Sequence, residues 1–307
     1  MSKTEHDTRV AELRGATTHY ERPWYKSAAI VLQRRGLSGL DCLDLCAGNA
    51  EFSEILRDRF DMKVTCADYA PAHLKRQQEL GFRTLPVDLE AATESLDVIA
   101  NKQTSTFDLV VSLATIEHIF DSDNLLRFAH TVLRPEGMLL VNTPNISFAG
   151  YRLYSCLSGN RPFGEGHHVR FWDYRFLRTN LFLNGFQVIE DARRFFSLPL
   201  DQLARAFRGR QRVATVISYL FHACQLLQHL PRGKNWFADE LTVLAKREDI
   251  YPVGFQFPRV REELARLHGF PEEAQILARL NEARRLGLLR EHLMLNALVA
   301  ERCGEKL

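Results

Sequence analysis

The feature that most constrains this chain is a rhythm: between residues 41 and 145, short apolar runs alternate with segments of helical spacing. DCLDLC (41–46), KVTCAD (63–68), FRTLPVD (82–88), FDLVVSLA (107–114) and GMLLVNTPN (137–145) have the length and side-chain types of strands. Between them, EFSEILRDRF (51–60) puts Phe52, Ile55, Leu56 and Phe60 at helical spacing, and PAHLKRQQEL (71–80) opens with Pro71, a residue suited to a first helical position. DSDNLLRFAHTVL (121–133) repeats the helical pattern. Strands separated by helices of about ten residues predict βαβ units and a parallel sheet. Runs as continuously apolar as DLVVSL and MLLV predict a sheet covered on both faces.

The flanks are organised differently. WYKSAAIVLQRRG (24–36) reads as a helix ending at Gly36. YRFLRTNLFLNGFQVIEDARRFF (174–196) reads as a helix, a stop at Gly185 and a strand, and FADELTVLAKRE (237–248) as a last strand. The expected organisation is a polar arm (1–22), an α/β domain (23–250) with a helical insertion at about 197–235, and a helical extension (251–307). The extension shows apolar residues at 276, 277, 280, 286, 289, 293 and 295, a helical but not heptad pattern.

Composition narrows the classes. With 307 residues, 46% hydrophobic and 25% charged, the chain has the make-up of a globular protein and can bury a core without disulfides. A net charge of +2 supplies no global field for nucleic acid, so no nucleic-acid partner is expected. The six cysteines form no CxxC pair and read as free thiols in a reducing compartment. MSKTEHDTRVAELRG lacks the apolar core of a signal peptide, and the expected location is the cytoplasm.

In an open α/β sheet, ligands bind beyond the carboxyl ends of the strands. The first strand is followed by Asp44-Leu45-Cys46-Ala47-Gly48-Asn49-Ala50, where small residues let backbone approach a ligand at a helix N-terminus. The second ends in Asp68, twenty positions past Gly48, where a carboxylate can accept both hydroxyls of a ribose. The third ends in Val87-Asp88-Leu89, where an acid can meet an adenine amino group. A dinucleotide site wants G-x-G-x-x-G, but only Gly48 is glycine here, and Glu51 would repel a pyrophosphate. A phosphate-free nucleoside fits better.

LDLCAGNAEFSEIL, CADYAP, PVDLE, FDLVVSLATIEHIFD and LLRFAHTVLRPEGMLLVNTPN together resemble the class I S-adenosylmethionine-dependent methyltransferases. They are similar to the branch holding the ubiquinone-biosynthesis O-methyltransferases and methyltransferases of polysaccharide clusters, as is GHHVRFWDYRFLRTNLFLNGFQVIE. The resemblance covers roughly residues 40–196 and 237–247, and implies a Rossmann-like, doubly wound, mostly parallel seven-stranded sheet with helices on both faces. It implies S-adenosylmethionine as cofactor. Asp44 and Cys46, Ala47, Gly48, Asn49 and Ala50 would lie along its methionine half, Asp68 and Tyr69 at the ribose, Asp88 and Leu89 at adenine, and Leu113 on the sulfonium side. The chain departs from the pattern where Cys46 and Ala50 replace the first and third glycines of the turn.

Methyl transfer to a hydroxyl requires in-line geometry and profits from a base. His118, just past the fourth strand, is the first candidate base, with Glu117 beside it to orient it or bind a ligand. His168 is a second candidate base, with His167 and Arg170 as acceptor-binding neighbours after the loop SGNRPFGEG. Trp24 and Tyr25 are expected to line the acceptor pocket from the first helix. Some ubiquinone-branch enzymes are thought to hold a metal through acids near this E-H. Ala114 stands where they place a further acid, so no metal is expected.

Residues 191–235 carry eight basic and two acidic residues, and VATVISYLFHACQLLQHLP (213–231) within them has no formal charge. Ser218, His222, Gln225 and His229 form a polar stripe, so the segment reads as an amphipathic helix rather than a bilayer span. Three uses follow: a lid over the pocket, a homodimer contact, or a seat for 205–232 on an anionic membrane or lipid-linked substrate. The expected function is methyl transfer to a hydroxyl of a glycan, lipid-linked sugar or small metabolite, with an anionic acceptor suiting the basic insertion. A non-catalytic, cofactor-binding regulatory module is the alternative.

Overall fold

The computed structural model describes residues 22–104, 106–158, 168–192, 236–290 and 292–303, with Arg212, Thr215, Val216, Tyr219 and Ala223 placed singly. The arm up to residue 21, the 159–167 loop with His167, and nearly all of the basic insertion with its expected helix lie outside the described residues.

In chain order the elements are α1 (Pro23–Arg35), β1 (Asp41–Leu45), α2 (Glu51–Phe60), β2 (Lys63–Asp68), α3 (Pro71–Glu79), β3 (Arg83–Pro86), α4 (Thr93–Lys102), β4 (Phe107–Leu113), α5 (Ser122–Val132), β5 (Leu133–Pro144), α6 (Ala149–Ser158), α7 (Tyr174–Leu183), β6 (Phe186–Asp191), β7 (Glu240–Arg247), α8 (Phe257–Arg266), α9 (Pro271–Arg285) and α10 (Leu293–Cys303). The seven strands form one sheet in the order β3-β2-β1-β4-β5-β7-β6. β3 to β5 pair in parallel with their neighbours through β1, and β7 runs antiparallel to both β5 and β6. The order reverses at β1, so the carboxyl ends of β1 and β4 flank the crevice where such sheets bind ligands.

Two apolar layers sandwich the sheet. One joins Leu43, Val110, Leu139 and Val243 to Leu125, Phe128 and Ala129 of α5 and Leu177 and Leu181 of α7. The other joins Cys42, Leu109, Leu140 and Leu244 to Ala28, Val31 and Leu32 of α1 and Phe52, Ile55 and Leu56 of α2. α1 is further pinned where Ser27 Oγ donates to Thr242 Oγ1 at 2.7 Å, and it stops at Gly36, whose φ of 62° is left-handed.

Two helices break the reading from periodicity. TESLDVIANK folds as α4 although no side chain caps it, and residues 149–158 fold as α6. β5 begins at Leu133 rather than Gly137, pairing Leu133 with Phe107 before a register shift. The extension is not one long helical run: it breaks after Arg285, where Gly287 takes a φ of 70°.

The extension packs as a third apolar cluster, Val260, Leu264, Ile276, Leu280 and Val299 meeting Leu183 of α7. Its anchor is Asp123, fully buried, which accepts the backbone N–H groups of Phe255 and Gln256 and the side-chain amide of Asn184. A buried carboxylate is tolerable only when fully hydrogen-bonded in this way. Among the described residues no helix is long and apolar enough to cross a membrane.

Candidate active site

The β1–α2 turn explains the family's glycines by its backbone. Cys46, Gly48 and Ala50 all have left-handed φ, at 62°, 55° and 63°. Only the middle one is glycine, and each non-glycine there costs about 1–2 kcal/mol. Neighbouring hydrogen bonds hold the turn: Ala47 N–H to Ala67 O at 3.0 Å, and Ala50 N–H to Ala47 O at 2.9 Å. Asn49 is half-buried at its tip.

Asp68 closes the turn from β2. Its Oδ2 accepts Gly48 N–H at 2.9 Å, and its Oδ1 accepts Ala70 N–H at 3.0 Å with His73 Nδ1 at 3.3 Å. The carboxylate is thereby aimed over the turn, with Tyr69 half-buried beside it. A Cβ added at Gly48 would meet nothing within 4 Å, so open space lies against the backbone there. Asp88 is exposed and caps its own turn at Glu90 N–H, and buried Leu89 offers its carbonyl to Asn124. Open space at the turn, an acid over it and a second acid one strand along fit an uncharged-sugar nucleoside.

Asp44 lies beneath the turn, buried, accepting Ser53 Oγ at 2.6 Å. Burial pushes its carboxyl up to about 7, Ser53 opposes, and the nearby Asp68 charge adds to the rise. On the α1 side, Tyr25 Oη donates to Glu51 Oε2 at 3.0 Å and its ring stacks on Phe52. Arg22 reaches Glu51 at 3.1 Å and lies 5.6 Å over the rings of Trp24 and Tyr25. The two aromatics expected at the acceptor thus sit by the turn, as does Arg22, which the sequence reading left in the polar arm. Its only signal was its position directly before Pro23-Trp24-Tyr25.

At the end of β4, half-buried Leu113 pairs with Asn142, and Ala114 has a φ of 50°. The reversal buries Glu117, whose Oε2 accepts Thr143 Oγ1 at 3.0 Å and whose carbonyl accepts the N–H groups of Val169 and Arg170. These backbone bonds draw the 168–170 segment onto the strand end. His168 then meets exposed His118 edge to face, ring centroids 4.7 Å apart, and Arg170 donates to the Phe120 carbonyl. Burial pushes the Glu117 carboxyl up to about 7. Ligand atoms of Glu117, His118 and His168 all lie within 4.8 Å of one another, a two-histidine, one-carboxylate set that can hold a divalent cation. Ala114 does not exclude that set, because its third ligand comes from the distant His168.

A second buried carboxyl was missed. Glu240 opens β7 opposite Pro144, 8% exposed, with Asn142 as a hydrogen-bond partner. Burial, then Asp239 and Glu117, raise it well above the usual carboxylate range. The signal was polar residues inside apolar strands: Asn142 and Thr143 in LLVNTP, Glu240 and Thr242 in ELTV.

A family model described as methyltransferase domain matches residues 19–191. The chain belongs to this family. It is similar to the ubiquinone biosynthesis O-methyltransferase of Xanthomonas oryzae pv. oryzae (strain PXO99A), 30% identical over 123 residues, 40% of this chain and 51% of that protein. The enzyme of the same name from Methylobacterium sp. (strain 4-46) is 31% identical over 121 residues, 38% of this chain and 46% of that one. The chain thus spans about half the length of the curated relatives it matches. In fold it is similar to a chain from the complex between the Haloferax volcanii Trm112 methyltransferase activator and a methyltransferase, with a TM-score of 0.54 at 16% identity over 81% of this chain and 100% of that one. The α/β domain is a methyltransferase domain.

Proposed function

We propose that this protein transfers the methyl group of S-adenosylmethionine to a hydroxyl of a glycan, lipid-linked sugar or small metabolite. The observation that carries the reading is the convergence, at one edge of the sheet, of the Gly48–Asp68 turn and the Glu117–His118–His168 cluster. When bound, the cofactor supplies an electrophilic methyl on a positively charged sulfur. Asp68 and the 46–50 turn would hold its ribose and amino-acid end, with Arg22, now paired with Glu51, the nearby cation for its carboxylate. Asp88 and Leu89 flank the adenine, and Leu113 the sulfur. His118, exposed at the strand end, takes the acceptor hydroxyl's proton, and His168 and Glu117 fix its ring. The cofactor would supply its methyl to the hydroxyl oxygen, the C–S electron pair staying on sulfur and the hydroxyl proton going to His118.

A second reading of the same three residues is favoured by their ligand atoms lying within 4.8 Å of one another: Glu117, His118 and His168 would hold a divalent cation, which would supply Lewis acidity toward the acceptor oxygen. The basic stretch at 193–234 supports an acceptor with an anionic or lipid-linked portion outside the reacting end, and contact of the protein with the inner face of a membrane. Dimerisation through the same stretch is the competing use. Transfer of a labelled methyl to glycan, lipid-linked and phenolic acceptors tests the reaction. His118→Ala should lower kcat ~100-fold with cofactor affinity kept. Loss of turnover in EDTA, restored by a divalent ion, selects the cation reading. Co-flotation with anionic but not neutral vesicles tests the membrane contact, and no labelled product from any acceptor would overturn the proposal.

A further inference from the structure

We propose that Glu240 seats the acceptor, its Oε2 hydrogen-bonding an uncharged hydroxyl group while Glu240, Glu117 and Asp239 together exclude a carboxylate or phosphate from the reacting end of the pocket. This rests on the methyl-transfer reading and adds the class of group admitted there.

Three observations carry it. First, place: Pro144 and Glu240 are the terminal pair of the β5–β7 ladder, at the sheet edge that also carries Leu113, Glu117 and the 46–50 turn. Cross-strand partners share a face, so Glu240 is on the face of Asn142 and Thr242, the latter bonded to Ser27 of α1. Second, hydrogen bonding: Oε2 of Glu240 is buried and has no partner among the described residues. A buried polar atom left unpaired costs about 1–3 kcal/mol, a cost a ligand hydroxyl would remove. Third, charge: the Asp239 and Glu117 charges both act on Glu240 and raise its carboxyl, Asn142 is its hydrogen-bond partner, and the charges of Asp239 and Glu240 also act on Tyr151 of α6. A ligand anion placed among three carboxyls is repelled wherever they are ionised and loses its hydration where they are not. A stability role does not account for the group. A carboxyl buried beside other acids with one oxygen unpaired is a cost to the fold.

The test uses the full chain loaded with S-adenosylhomocysteine. Saturation-transfer NMR compares methyl glucoside, methyl glucuronide and methyl glucosaminide, and in parallel 4-methylphenol, 4-hydroxyphenylacetate and tyramine. The neutral member of at least one series should bind at least tenfold tighter than its carboxylate counterpart. Glu240→Leu should lose that binding, keep its affinity for S-adenosylhomocysteine, and melt at or above the wild-type temperature. Glu240→Gln, which keeps a donor and an acceptor, should bind the neutral probe within threefold of wild type and lose part of the discrimination against the anion. Any of four results overturns the inference: no probe binding to the loaded protein, preference for the anionic or the amine member, probe binding unchanged in Glu240→Leu, or melting temperatures lowered in both variants. Failure of the protein to bind S-adenosylhomocysteine at all would instead overturn the methyl-transfer reading.

Discussion

Replacing Asp44 by asparagine should flatten the protein's loss of stability with rising pH. Asp44 is buried under the cofactor turn with Ser53 as hydrogen-bond donor, and its carboxyl is raised to about 7. In the unfolded chain the same group titrates at about 3.9. Below that value both states hold the proton and the group is neutral to stability. Above it the unfolded chain has released a proton the folded chain retains, so stability falls as pH rises until about 7, where the folded state releases it too. Between pH 6 and pH 8 the remaining loss is roughly one pKa unit, ~1.4 kcal/mol. For 307 residues, an unfolding entropy of ~2.1 cal/mol/K per residue converts this to about 2 °C in Tm. The assay is a pair of calorimetric melts of wild type and Asp44→Asn at each pH. Glu117 and Glu240 titrate in both proteins, so the difference between the two curves isolates Asp44. Identical slopes, or a variant whose stability falls more steeply than wild type, would refute the reasoning.

Asp68→Ala removes the acceptor for the Gly48 and Ala70 N–H groups and the ribose contact together. Its affinity for S-adenosylhomocysteine should fall ~100-fold, about 3 kcal/mol, by titration calorimetry, with Asp68→Asn intermediate. Gly185→Ala should destabilise by about 2–3 kcal/mol in denaturant melts, because φ is +82° and the new Cβ would lie 2.7 Å from His130 Nε2, which is bonded to the Glu248 carbonyl. Asp123→Ala leaves the Phe255 and Gln256 N–H groups without their buried acceptor, so protease should release the extension faster than from wild type while the α/β domain resists.

Much of the fold is legible in the sequence itself. The α2 and β2 spans follow from the sequence to the residue because apolar spacing, Pro71 and the acid at position 68 agree. α4 was hidden because its interior anchors are few, Leu96 and Ala100, and its start carries no capping side chain. The cofactor turn was legible in residue type but not in reason: left-handed backbone at Cys46 and Ala50 is a property of φ, and small side chains hide its cost. The acceptor end was half legible. Glu117 and His118 stand together in sequence, whereas His168 arrives through backbone bonds from Val169 and Arg170 to the Glu117 carbonyl, a contact spanning some fifty residues. Glu240 carried a local signal, an acid opening the apolar run ELTV, but its pairing with Pro144 at the end of β5 joins segments nearly a hundred residues apart.

The most direct test of the central claim is titration calorimetry of the purified protein with S-adenosylmethionine and S-adenosylhomocysteine. The account predicts one site per chain with micromolar affinity, about −8 kcal/mol, abolished or strongly weakened in Asp68→Ala. No heat from either ligand at ~1 mM, where even a free energy of about −4 kcal/mol would register, would contradict it.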